Sequence, residues 1–120
     1  MNSEQFGQWG EKKAAAFLQQ NGYRILARNY RVRTGELDLV AENEAFLVFA
    51  EVKTRKSARF AAAREAVTYA KQQRLRTAAE AWLAAFPTAK QPRFDVIEVY
   101  APDGVASTRI QINHIENAFA

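Results

Sequence analysis

The chain has 120 residues, no cysteine and a single histidine, His114, which excludes disulfides, thiolate metal centres and a histidine-rich zinc site. With 48% hydrophobic and 25% charged residues it has an ordinary globular composition, and its length fits one domain over residues 1–120. No apolar stretch approaches a membrane span and the N-terminus has no signal-peptide pattern, so a cytoplasmic protein without membrane contact is expected. The net charge of +4 is unevenly spread: residues 53–76 hold eight of the 17 basic residues and one of the 13 acidic ones. That concentration is the pattern of a surface that meets a polyanion, and Arg55, Lys56, Arg59, Lys71 and Arg74 are its candidate contacts. The plainer reading is a solvated helix face.

In chain order, residues 3–21 read as a helix with Gly7, Ala14 and Leu18 on one stripe, stopped by Asn21-Gly22. Tyr23–Val32 reads as a strand, Thr34-Gly35 as a turn and Glu36–Glu42 as a second strand. A two-residue turn at Asn43-Glu44 leads to a third strand, Phe46–Thr54. A loop from Arg55 to about Ala62 precedes a long helix that ends near Phe86, with Val67, Leu75, Ala78 and Trp82 as its buried stripe. Arg93–Tyr100 is a fourth strand, Asp103-Gly104 a turn and Ser107–Ile112 a short last strand, with a helical turn expected in the tail Asn113–Phe119. The order predicts an α/β fold: an antiparallel meander, a helical crossover, and a fourth strand parallel to the third in a mixed sheet flanked by helices.

The third strand carries the strongest chemical signal. Glu51 and Lys53 stand two apart in the apolar run Phe46–Arg55, so both leave the same face of a core strand. Buried charges of this kind require partners or a metal. With the turn at Asn43-Glu44, Asp38 falls opposite Phe49 and diagonal to Glu51, about 7–8 Å away at the backbone. Glu11 lies on the first helix's apolar stripe and Lys71 at the centre of the second's, so both are expected to join one polar site on the sheet. Either alone is explained by a long side chain reaching the rim. The chemistry that fits is metal-assisted phosphodiester hydrolysis: Asp38, Glu51 and the Val52 carbonyl as ligands of Mg²⁺ or Mn²⁺, Glu11 completing the shell, and Lys53 handling the attacking water. His114 reads as an exposed or capping residue. Trp9, Tyr30, Phe60 and Tyr69 read as core rather than as base-stacking groups, and Trp82 as core.

These residues resemble the Asp…Glu-x-Lys signature of the PD-(D/E)xK nuclease superfamily. More closely, the chain resembles the YraN family of small endonuclease-like bacterial proteins, related to archaeal Holliday-junction resolvases. The matching stretches are Gly10-Glu11…Ala14, Gly22-Tyr23…Ile25-Leu26, Asn29, Gly35–Val40, Val48–Arg55 and Arg93–Val96. Leu37 stands where Ile is usual and where the superfamily motif has Pro, and Ala50 where Val is usual. The resemblance implies a restriction-endonuclease-like core, metal-ligand roles for Asp38 and Glu51, a catalytic role for Lys53, and for Glu11 the part of the resolvases' first-helix acid. Its functional expectation is a Mg²⁺-dependent endonuclease acting on DNA, branched or damaged. A homodimer would suit a four-way junction with its two scissile strands. The alternatives are a nucleic-acid-binding protein with this fold and little activity, and a structural protein whose carboxylates are satisfied by Lys53, Lys71 and Arg55.

Overall fold

A computed structural model describes residues 2–57 and 67–119. Helix α1 (Ser3–Gln20) begins with a capping box: the Asn2 side chain accepts from the Gln5 N–H, and the Gln5 side chain accepts from the Asn2 N–H. It ends at Asn21, after which Gly22, at φ +86°, redirects the chain. Strands β1 (Arg24–Val32), β2 (Gly35–Glu42) and β3 (Phe46–Arg55) form the meander, helix α2 (Tyr69–Ala85) crosses over, and β4 (Gln91–Tyr100) returns parallel to β3. Strand β5 (Gln111–Phe119) pairs antiparallel with β4, giving the spatial order β1-β2-β3-β4-β5. The α/β class and the mixed sheet between helices are as the sequence predicts.

The two helices cover opposite faces of the sheet. Ala14, Ala15 and Leu18 of α1 pack with Leu39, Ala41, Val48, Ala50 and Val52. Leu75, Ala78, Ala79 and Trp82 of α2 pack with Val40, Leu47, Phe49 and Val96. Burial on both faces explains why β3 reads as a continuous apolar run instead of an alternating one. Two glycines allow the helices to come so close. A Cβ on Gly10 would lie 1.8 Å from Thr54 Oγ1, and one on Gly35 would lie 2.1 Å from the Arg74 carbonyl oxygen.

Four local expectations change. The hairpin turn encloses Glu44-Ala45 instead of Asn43-Glu44, because Asn43 Oδ1 accepts from the N–H groups of Ala45 and Phe46, and Asn43 itself pairs with Phe46. Helix α2 starts later than expected: Thr68 is its N-cap, its side chain accepting from the Lys71 N–H, and Val67 precedes the helix. The proposed start near Ala62 lies outside the described residues. The tail is a strand and not a helical turn, while Gly104–Ala106 forms a short 3₁₀ turn within the region read as turn and last strand. His114 is not an exposed tail residue: its Nε2 lies 2.7 Å from Asp95 Oδ2, its ring edge-on to Phe17 and Tyr23. Asp95, fully buried, also accepts from the Arg93 guanidinium at 2.8 and 2.9 Å and from the Asn117 N–H at 3.0 Å. Burial acts to raise the Asp95 carboxyl, but these donors outweigh it and hold it below the usual carboxylate range. This network locks β5 to β4, where a register shift accommodates Asn117 at φ +52°.

Candidate functional site at a fork in the sheet

The β2–β3 ladder stops at the pair Leu39–Ala50. Below it β2 continues with β1 as far as Gly35, while β3 continues with β4 as far as Arg55–Tyr100. The sheet therefore opens between β2 and β3. Leu37 packs on the α2 side and Leu39 on the α1 side, although residues two apart in a regular strand share a face, so β2 rotates through Asp38 as it leaves β3. Asp38 lines one side of the opening and Glu51 the other. The observed register differs by two residues from the predicted one. An even shift keeps every side chain on its face, and it brings Asp38 and Glu51 to the residues just past the last pair, Leu39–Ala50, on the two sides of the opening. Asp38 Oδ2 accepts from the Val52 N–H at 2.8 Å, satisfying a backbone donor next to the fork.

The opening also explains how Glu11 and Lys71 reach one site. They sit on helices at opposite faces, and a closed sheet would separate them. Lys71 Nζ lies 2.5 Å from Glu51 Oε1, and Lys53 Nζ lies 3.3 Å from the same oxygen. Glu11, half-buried, feels the charges of Glu51 and Glu36, and it lines a cleft with Asn29 and Arg31. Glu36 stands across from Arg31 of β1, to which it is paired at 3.2 Å.

The electrostatics follow from burial and crowding of like charges. Burial, then the Glu51 charge, push the Asp38 carboxyl up to about 8 against the pull of the Val52 N–H, so Asp38 holds its proton at neutral pH. Burial raises Glu11 as well, with Glu51 and Glu36 adding to it and Asn29 opposing. Burial and the neighbouring Lys71 ammonium lower Lys53. Burial acts to lower Lys71 too, but its contact with Glu51 outweighs this and raises it. The two lysines thus diverge: Lys71 stays charged, and Lys53 gives up its proton more readily than an ordinary lysine.

The donor set is hard oxygen, suited to Mg²⁺ or Mn²⁺, and Asp38 Oδ1 and Glu51 Oε2 take no part in the contacts to Val52, Lys53 and Lys71. Among the described residues no group of three acidic, histidine or cysteine side chains comes together, so Glu11 stands off from the pair. The residues fit a cation that keeps part of its water shell or takes oxygens from a substrate, not a closed protein cage.

Beside Glu51 a cleft of about 320 Å³ is lined by Lys71, Arg74 and Thr68. Two of the five expected polyanion contacts, Lys71 and Arg74, therefore flank the acids. Arg55 ends β3 with its Nε buried and without a hydrogen-bond partner, Lys56 is exposed on the following loop, and Arg59 lies outside the described residues. Tyr69 is 75% exposed at the start of α2, not part of the core, whereas Trp82 is buried against Tyr30. Sequence reasoning assigned no role to Asn29. Its signal, an Asn inside a strand pattern, was too weak to mark it.

A family model described as "Uncharacterised protein family UPF0102" matches residues 10–99. The chain belongs to this family. Similar UPF0102 proteins extend the match to almost the whole chain. One from Symbiobacterium thermophilum is 49% identical over 119 residues, covering 98% of each chain. One from Syntrophomonas wolfei is 47% identical over 120 residues, covering 99% of this chain and 100% of the relative. One from Chlorobium phaeobacteroides is 46% identical over 117 residues, covering 94% and 92%. The stretch matched by the UPF0102 model contains Glu11, Asn29, Asp38, Glu51, Lys53 and Lys71, so every residue of the fork belongs to the part of the chain that carries the family likeness.

Proposed function

We propose that this UPF0102 protein is a metal-dependent endonuclease of the PD-(D/E)xK type that hydrolyses phosphodiester bonds in DNA. The observation that carries the reading is the pair Asp38 and Glu51 lining the two sides of the fork, with Asp38 raised by burial and by Glu51 and with Lys53 beside Glu51. Asp38, Glu51 and the Val52 carbonyl would hold Mg²⁺ or Mn²⁺, with Glu11 at the edge of the shell. Such an ion supplies polarisation of the phosphate and a more acidic bound water. Lys53, lowered by burial and by Lys71, is better suited than an ordinary lysine to take a proton from the attacking water. Lys71 remains protonated and offsets charge that grows on the phosphate. Arg74 and Lys71 in the cleft, with Arg55 and Lys56 beyond Lys53, offer a track for the nucleic-acid backbone, and the exposed Tyr69 offers a face for a base. Branched DNA with two scissile strands would call for two copies of the chain.

A second reading is favoured by one observation: Glu51 already has two ammonium partners, and no three-acid cluster forms among the described residues. On that reading the protein binds nucleic acid without cutting it. Linear, forked and four-way DNA incubated with Mg²⁺ or Mn²⁺ separates the two. Cleavage that disappears in Glu51→Ala supports the nuclease. Salt-sensitive binding of the same substrates with no product supports the binding protein.

A further inference from the structure

Past the fork, the α2 face of β3 carries Phe49, Glu51, Lys53 and Arg55 at every second position. The parallel ladder sets Glu98 beside Lys53 and Tyr100 beside Arg55, and β5 adds Asn113 and Gln111 to the same two rows. One polar surface therefore continues from the acids to the strand ends, about 13 Å from Glu51 at about 3.3 Å per residue. It ends in a cleft of about 380 Å³ where Lys56, Ser57, Arg109 and Gln111 meet the Tyr100 ring. The Tyr100 hydroxyl is already engaged: it donates to Glu98, which also accepts from Asn113 Nδ2 at 2.9 Å. What Tyr100 offers the cleft is its ring.

The cations here lack counter-charges. Arg55, Lys56 and Arg109 form no salt bridge among the described residues, whereas Arg31, Lys53, Lys71 and Arg93 each pair with a carboxylate. Arg55 Nε is in addition buried without a hydrogen-bond partner, a state that calls for an acceptor from outside the chain. Lys56 and Arg109 are exposed, and among the described residues no acidic side chain lines the cleft with them. Two cations, a hydroxyl and an amide around an aromatic ring form the donor set for a phosphate with a base attached.

We propose that this cleft is a subsite for an unpaired strand of the DNA substrate, with Lys56 and Arg109 holding a phosphate and the Tyr100 ring a base. The inference rests on the reading that this face of the sheet meets DNA, and it names the form of DNA: a duplex with a single-stranded arm. A base laid on the ring must first leave its own stack, which costs least in a strand already unpaired. At about 3.4 Å per nucleotide in a stacked strand, the distance to Glu51 spans about four nucleotides, and fewer if the strand is extended. An armed duplex can therefore fill fork and cleft together. A blunt duplex or a fully paired four-way junction fills the fork alone.

The test is fluorescence anisotropy with these three DNAs, the arm in either polarity, in the presence of a chelator so that nothing is cut. The armed duplex should bind at least about fivefold more tightly than the blunt one, the lower end for one stacked base. Tyr100→Leu should abolish that advantage, and Tyr100→Phe should keep it. Arg109→Gln should shrink it and lower the salt slope for the armed duplex by about 1. Equal wild-type affinity for armed and blunt duplexes, or an advantage that survives either Tyr100→Leu or Arg109→Gln, would overturn the proposal. Thermal melting identifies any variant that fails to fold, and Arg109, being exposed, keeps the test decisive if Tyr100→Leu does. Displacement of the armed duplex by deoxyadenosine monophosphate as readily as by an unlabelled single strand would assign the cleft to free nucleotides and overturn it too. A wild-type chain that binds none of the DNAs removes the DNA reading together with this inference. DNA bound without preference for the arm, and cut once Mn²⁺ replaces the chelator, removes the inference alone.

Discussion

Replacing Asp38 by Asn should make the protein more stable, and increasingly so as the pH rises. The Asp38 carboxyl, ordinarily at 3.8, is pushed up to about 8 in the folded chain by burial and by Glu51. Between those values the folded state holds a proton that the unfolded state has released. Stability therefore falls as pH rises across that window and levels off above about 8. One proton corresponds to about 1.4 kcal/mol per pH unit. That slope is the ceiling for Asp38. Asparagine has the same shape, carries no charge at any pH and does not contribute the slope. Urea unfolding of both proteins at pH 5, 6, 7 and 8, without divalent metal, should give curves that diverge in favour of Asp38→Asn by up to about 1 kcal/mol per pH unit. Added Mn²⁺ should reverse the order at pH 8 by stabilising the wild-type protein alone. Parallel pH dependences for the two proteins would show that Asp38 ionises normally and refute the reasoning.

Three further outcomes follow from the packing. Gly10→Ala drives a methyl group into Thr54, 1.8 Å from its Oγ1, and should cost about 1–3 kcal/mol in urea unfolding, partly recovered by Thr54→Ala; a neutral effect would mean that α1 is not seated against β3. His114→Ala leaves the buried Asp95 one partner short and should cost about 2 kcal/mol, with faster amide exchange along β5; unchanged exchange would rule out the network as the lock on that strand. DNA binding should weaken with added salt, and Arg74→Gln should lower the slope of log affinity against log salt by about 1; an unchanged slope would take Arg74 off the phosphate track.

The sequence carries much of this site because its signals are local. Glu51 and Lys53 are two charges in a run otherwise fit for a core strand, and Glu11 and Lys71 each interrupt an apolar stripe. What brings them together is not local. The fork depends on where the β2–β3 ladder ends, and only that opening lets helices on opposite faces serve one site. The register differs because Asn43 accepts two backbone N–H groups and moves the turn by one residue, which ends the ladder at Leu39–Ala50, just before Asp38 and Glu51. The α2 start was misplaced because helical periodicity through Val67 outweighed Thr68 as a cap. Strand β5 was hidden by Asn113, Glu116 and Asn117, poor strand formers whose partners lie far away in sequence: Asn113 donates to Glu98, the Asn117 N–H to Asp95, and Phe119 stacks on Phe94.

The fork's chemistry is tested most directly by cleavage of four-way and forked DNA by the wild-type protein and by Lys53→Ala, each with Mn²⁺ and each with a chelator. Mn²⁺-dependent products from the wild-type protein, lost with the chelator and reduced at least a hundredfold in Lys53→Ala, are the expected result. Products that survive the chelator, equal cleavage by Lys53→Ala, or bound but uncut DNA in every lane would contradict it.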